Sequence, residues 1–115
     1  MRTETEHDWL ALLKAGNVQA FNDRRKADPY AAIDLSRADL RHADLKGANL
    51  KHADLQSADL EGTDLREATL IGANLKNAKM KRANLTGVSY AYATISRAQR
   101  DMIEEQNRTT LNLVD

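Results

Sequence analysis

Residues 38–62 read Ala-Asp-Leu-Arg-His, Ala-Asp-Leu-Lys-Gly, Ala-Asn-Leu-Lys-His, Ala-Asp-Leu-Gln-Ser, Ala-Asp-Leu-Glu-Gly. The same unit extends in both directions, and from Ile33 to Arg97 the chain divides into 13 consecutive five-residue units without an insertion. The third place is Leu in ten units and is replaced by Met80, Tyr90 and Ile95; the first is Ala in ten and is replaced by Ile33, Thr63 and Val88. Between them stands Asp or Asn in nine.

A period of five fits neither ordinary element. In a helix, five steps of about 100° rotate each Leu by roughly 140° from the last, which scatters the Leu residues over every face. In a continuous strand side chains alternate with period two, so an odd repeat sends successive Leu residues to opposite faces. The chain must therefore bend once per unit. Within a unit the small residue and the Leu are two apart and share an inward face, with Asp or Asn facing out. The last two places, rich in Arg, Lys, Gly, Ser and His, form the corner. Repetition of a short strand and a corner winds a solenoid around a column of Leu and Ala.

These units resemble the pentapeptide-repeat family, whose signature is Ala-(Asp/Asn)-Leu followed by two variable residues. The resemblance implies a right-handed quadrilateral β-helix with four units per coil, here about three coils in an all-β solenoid. Leu12 to Gly16, Phe21-Asn22 and Arg24-Arg25 are similar to the helical lead-in before many such repeats.

The flanks read as caps, giving an N-terminal helical cap over 1–32, the repeats over 33–97 and a C-terminal helix and tail over 98–115. Helix is expected from about Glu6 to Ala15, with Thr5 as N-cap and Gly16 as the stop, and again from after Asn17 to before Asp28-Pro29. Trp9, Leu10, Leu13, Val18 and Phe21 would cover the first coil, because an uncovered coil exposes apolar surface and unpaired edges. Ser96-Arg97-Ala98-Gln99 is a capping-box pattern that opens a helix to about Arg108, with Met102 and Ile103 inward. Leu111 and Leu113 alternate in the tail, Thr109 to Asp115, which reads as an edge strand for this chain or a second one.

Composition limits function. Seventeen Lys and Arg cancel 17 Asp and Glu, so direct nucleic-acid binding is not expected. There is no Cys, which removes disulfides and thiolate chemistry. The start of the chain has no apolar leader and no run reaches the length of a membrane span, so a cytoplasmic protein is expected. Ala, Leu, Asp and Asn supply 52 of 115 residues, and the Asp residues recur because the unit recurs, with their oxygens expected on nearby backbone at the bends. His42 and His52, ten apart, fall on opposite sides of a four-sided coil and cannot share a metal. No phosphate loop, nucleophile elbow or HExxH pattern is present. Neither catalysis, a cofactor nor a metal is expected.

Four units per coil stack positions twenty apart. The coil over 53–72 is acidic and that over 73–92 basic, with Asp59 beneath Lys79 and Glu61 beneath Lys81. Cross-coil ion pairing is the expected arrangement, and the alternative is a basic cluster of Lys79, Lys81 and Arg82 offered to an acidic partner. On another corner Ile71 and Gly72 lie beneath Ala91 and Tyr92, forming an apolar patch on the outside. Either the chain's own C-terminal segment or another chain covers it. The expectation is a non-catalytic scaffold for a protein partner, with a possible homodimer through its C-terminal end. Quinolone-resistance members of the family resemble duplex DNA and bind DNA gyrase, which supplies the alternative function. This repeat region departs from them, with ten basic against eight acidic residues and 3.25 coils spanning only about 16 Å.

Overall fold

The computed structural model describes residues 8–111. Its repeat region is held by nine parallel bridges, each between residues twenty apart, from Asp34 with Asp54 to Asn74 with Thr94. Four bridges therefore complete one coil, one per unit, which is the register of a β-helix solenoid. The expected short strand on each side reduces to a single bridging residue. The corner takes two residues of every five, and only the middle of the remaining three pairs backward.

One unit shows where every backbone donor goes. Ala58 N–H closes the turn on Leu55 O at 3.0 Å, Asp59 N–H reaches down to Ala38 O at 2.8 Å, and Leu60 N–H reaches up to Lys79 O at 2.7 Å. Gly62 N–H also reaches up, to Lys81 O at 2.9 Å. The fifth donor, Glu61 N–H, is taken by the unit's own Asp59 Oδ1 at 3.1 Å. All nine Asp and Asn residues at this place accept from the N–H two residues on, from Asp34 with Ser36 to Asn84 with Thr86. The expected local role of these side chains is thus met, and the backbone needs no long strand to be satisfied.

The corner is a turn with positive φ at its third residue, the signature of type II geometry. Eight of these residues are not Gly, including His42, His52, Arg82 and Tyr92, all with φ near 60°. Gly62 and Gly72 have a second reason to be Gly. A Cβ on Gly62 would stand 2.4 Å from Nδ1 of His42, and one on Gly72 would stand 2.3 Å from Nδ1 of His52. Each imidazole leans over the glycine one coil above.

Inside, ten Leu residues form the column, all at most 1% exposed, with the Ala places of the central coils beside them. Thr63 substitutes for Ala because its buried Oγ1 donates to Leu40 O at 2.7 Å. Tyr90 takes an inward place near the end and donates to Glu104 Oε2 at 2.9 Å, and the column closes one unit later at Ile95.

Helices cover both ends. The first two are α1 (Asp8–Lys14) and α2 (Val18–Ala27), with Asn17 capping α2 through Ala20 N–H at 3.2 Å. Thr5 and Glu6, expected to open the first helix, lie outside the described residues. Trp9 and Phe21 pack edge to face at 5.4 Å, as packing residues should. The last helix is α3 (Arg97–Leu111), whose capping box forms: Ser96 N–H donates to Gln99 Oε1 at 2.8 Å and Gln99 N–H to Ser96 Oγ at 3.1 Å. It runs past Arg108, so residues 109–111 are helical and not the expected edge strand. A helix already under way outcompetes two alternating Leu residues. Residues 112–115, with Leu113, lie outside the described residues.

The caps also finish the ladder. In a further coil, position 104 would donate to Ala83 O and accept from Leu85 N–H. The Gln106 carboxamide does both, at 2.9 and 2.6 Å. Asn107 Oδ1 accepts from Gly87 N–H at 2.8 Å, and Gln99 Nε2 donates to Ala78 O at 3.1 Å. At the other end Asn22 Oδ1 accepts from Asn49 N–H at 2.8 Å, and Arg25 Nη2 donates to Lys51 O at 2.6 Å. Side-chain groups of the caps thus stand in for the missing neighbour coil.

Two outcomes follow. Gly62→Ala should cost about 1–2 kcal/mol in urea unfolding, and His42→Ala should recover part of that loss in the double variant, because the ring and the new methyl compete for one space. Gln106→Ala should cost about 1–3 kcal/mol and accelerate hydrogen exchange at Leu85, because it strips one donor and one acceptor from the ladder end.

Candidate interaction surface

Four outward rows are set by the coil register. Three carry charge: Asp34, Asp54 and Asn74; Asp39, Asp59 and Lys79; Asp44, Asp64 and Asn84. The fourth, Asn49, Thr69 and Ser89, carries none, and Ser89 Oγ donates to Thr69 Oγ1 at 3.0 Å.

Lys79, Lys81 and Arg82 are exposed on the second row and the corner that follows it. The register puts Lys79 over Asp59 as expected. Among the described residues neither expected pair, Asp59 with Lys79 or Glu61 with Lys81, forms. The ion pairs that do form include Arg41 with Asp39 at 2.9 Å, extending to Asp59 at 3.8 Å, Arg66 with Asp64 at 2.7 Å, and Arg108 with Glu105 at 3.1 Å. Asp59, beneath Lys79, is met by Arg41 of the coil below at 3.8 Å and by its own Glu61 N–H at 3.1 Å. The Arg41 guanidinium holds Asp39 well below the usual carboxylate range, and the hydrogen bond from Arg66 lowers Asp64. The basic cluster is left facing solvent.

The corner between the fourth row and the first gathers Ile71, Ala91 and Tyr92. Ile71 is half-buried, Ala91 exposed, and Tyr92 92% exposed with φ of 62°. The partners of α3 lie on residues 75–90, across the end of the column, so the described part of the C-terminal segment does not cover Tyr92. This corner also differs in its backbone. Thr69 and Ser89 replace the Asp or Asn of their units, and among the described residues nothing accepts from Ile71 N–H or Ala91 N–H. Lys81 N–H is open for the same reason, above Lys79. Sequence reasoning found these residues by charge and hydropathy and missed their open donors, although the absence of Asp or Asn two places earlier marks them.

A large exposed aromatic at the other end was missed. Tyr30 is 95% exposed and borders a recess with Arg25, Lys26, Asn49, Lys51 and His52. Its only sequence signal is an aromatic just beyond the Asp28-Pro29 helix stop. Among the described residues no group of three or more His, Cys, Asp or Glu side chains is placed to hold a metal ion. No helix among them is long and apolar enough to cross a membrane.

A family model described as pentapeptide repeats matches residues 33–70 and 48–87. No curated protein matches the chain. Among solved structures, a pentapeptide repeat protein from the cyanobacterium Cyanothece 51142 is 36% identical over 55% of this chain and 44% of its own, with a TM-score of 0.54. A pentapeptide repeat protein from the Arabidopsis thaliana thylakoid lumen is 32% identical over 63% of this chain and 50% of its own, with a TM-score of 0.59. The aligned part thus spans half or less of either relative. The unit of five, the register of twenty, the family model and these neighbours agree, and the chain belongs to the pentapeptide-repeat family.

Proposed function

We propose that this chain is a non-catalytic scaffold that docks a protein partner along the corner of Ile71, Ala91 and Tyr92. The coil is read as right-handed, as the family resemblance implies. The observation that supports the docking corner is its pair of open backbone donors. Two successive coils leave Ile71 N–H and Ala91 N–H without an acceptor, beside an aromatic ring held at positive φ. Every described unit with Asp or Asn at the second place closes its donor, so the open donors of Ile71, Lys81 and Ala91 are local departures from the rule of the fold. Tyr92 shares its positive φ with the other corner residues, so its ring is carried outward on a turn of fixed geometry. A partner segment offering carbonyl oxygens would satisfy both donors and bury the ring. Lys79, Lys81 and Arg82, with the open Lys81 N–H, form a second face that suits an acidic stretch of the same partner.

The test separates closure of the donors from loss of the fold. Thr69→Asn with Ser89→Asn supplies the missing acceptors and should raise stability by about 1 kcal/mol. Affinity purification of the full chain from its native host, with sedimentation to score self-association, should show the partner or second copy lost from this variant and from Tyr92→Gly. Retention of the complex by both variants would overturn the docking corner. Inhibition of gyrase supercoiling at stoichiometric protein would instead favour the DNA-mimic alternative.

A further inference from the structure

The two ends of the solenoid solve one problem with different chemistry. At the C-terminal end, neutral carboxamides of Gln99, Gln106 and Asn107 satisfy the exposed ladder. At the N-terminal end, Asn22 serves the same purpose, but the Lys51 carbonyl is met by the guanidinium of Arg25. Arg25 is only 5% exposed, and its buried Nε has no hydrogen-bond partner. A neutral amide would meet that carbonyl without the penalty of burying a charge, and buried polar groups without partners are rare in folded proteins.

What surrounds Arg25 points to an absent counterion. Arg25 lines a recess of about 560 Å³, in the range of small-molecule sites. Lys26, Lys51 and His52 line it with Asn49 and Tyr30, and no carboxylate is among the lining residues. Among the described residues, no ion pair reaches Arg25, Lys26 or Lys51. Tyr30 stands almost fully exposed at the rim, with its ring free to stack. Three cations facing one cavity repel one another and favour a compact anion of more than one charge. A planar ring carried on that anion would cover Tyr30.

We propose that this recess binds a small phosphate monoester carried on a planar ring, with Arg25, Lys26 and Lys51 holding the phosphate and Tyr30 stacking on the ring. The site lies one coil below the docking corner on the same edge of the solenoid, with His52 N–H donating to Ile71 O at 2.8 Å, and it uses none of that corner's own residues.

The test uses the isotope-labelled full chain, titrated with adenosine monophosphate, inorganic phosphate and adenosine, and read at the Lys51 and His52 amides by NMR. The monophosphate should saturate, inorganic phosphate should bind about tenfold more weakly, and adenosine should not saturate. Tyr30→Ala should reduce the monophosphate to the affinity of inorganic phosphate and leave the latter unchanged. Arg25→Gln keeps a donor for Lys51 O and should weaken the monophosphate about tenfold or more, with a melting temperature equal to or above that of the unaltered chain. If Arg25→Gln does not fold, the exposed Lys51→Gln takes its place, with the same loss expected. No saturable shift with the monophosphate, equal affinity for monophosphate and inorganic phosphate, or unchanged affinity in the Arg25 or Lys51 variant would overturn the proposal.

Discussion

Five backbone N–H groups per unit must each find an acceptor, and the structure follows from how they do. One closes the turn, one reaches the coil below, two reach the coil above, and the fourth-place donor is left over. The short oxygen-bearing side chain two residues earlier takes it. Asp and Asn are suited to this because their oxygen sits one carbon beyond Cβ and folds back on the local backbone with little entropy to lose. With that donor satisfied, the chain turns every five residues without leaving a buried polar group unpaired. The Leu column can then stack continuously.

The same accounting governs the ends. A solenoid that stops leaves a row of donors and acceptors that would pair with any other edge. Here the caps carry apolar residues to cover the column, Phe21 below and Ile103 above, and also carboxamides that imitate the next coil. A carboxamide holds one acceptor and one donor side on, as a peptide group does, which is why Gln106 can replace both halves of a missing residue. Arg25 departs from this economy, since it performs an amide's task with a buried charge.

Much of this was legible in the residues. The Leu places read as core and are core, the Asp and Asn places read as bend-stabilising and are so, and Asn17 and the Ser96–Gln99 box mark their helix starts. These features are set by neighbours within a few residues. The rest depends on positions about twenty residues apart or on competition between partners. His42 over Gly62 is visible only once the coils are stacked, as is the fit of Gln106 and Asn107 to the ladder end. The expected pairing of Lys79 with Asp59 failed because Arg41 and the turn N–H had already claimed the carboxylate. The recess beside Tyr30 is formed by two segments, 25–30 of the cap and 49–52 of the first coil, and periodicity within the repeats says nothing of it.

Where Thr69, Lys79 or Ser89 stands at the second place, the fourth-place donor stays open, whereas beyond Thr94 the Gln99 side chain of the cap accepts it, and the open ones fall on the surface that carries the candidate docking residues. Native-state hydrogen exchange of the full chain tests that account most directly. The amides of Glu61, Arg66 and Lys76, each held by an Asp or Asn oxygen, should be protected relative to those of Ile71, Lys81 and Ala91, which should exchange at rates close to those of open chain. Equal protection of the two groups would contradict it, because the Asp and Asn side chains would then not be what completes the unit.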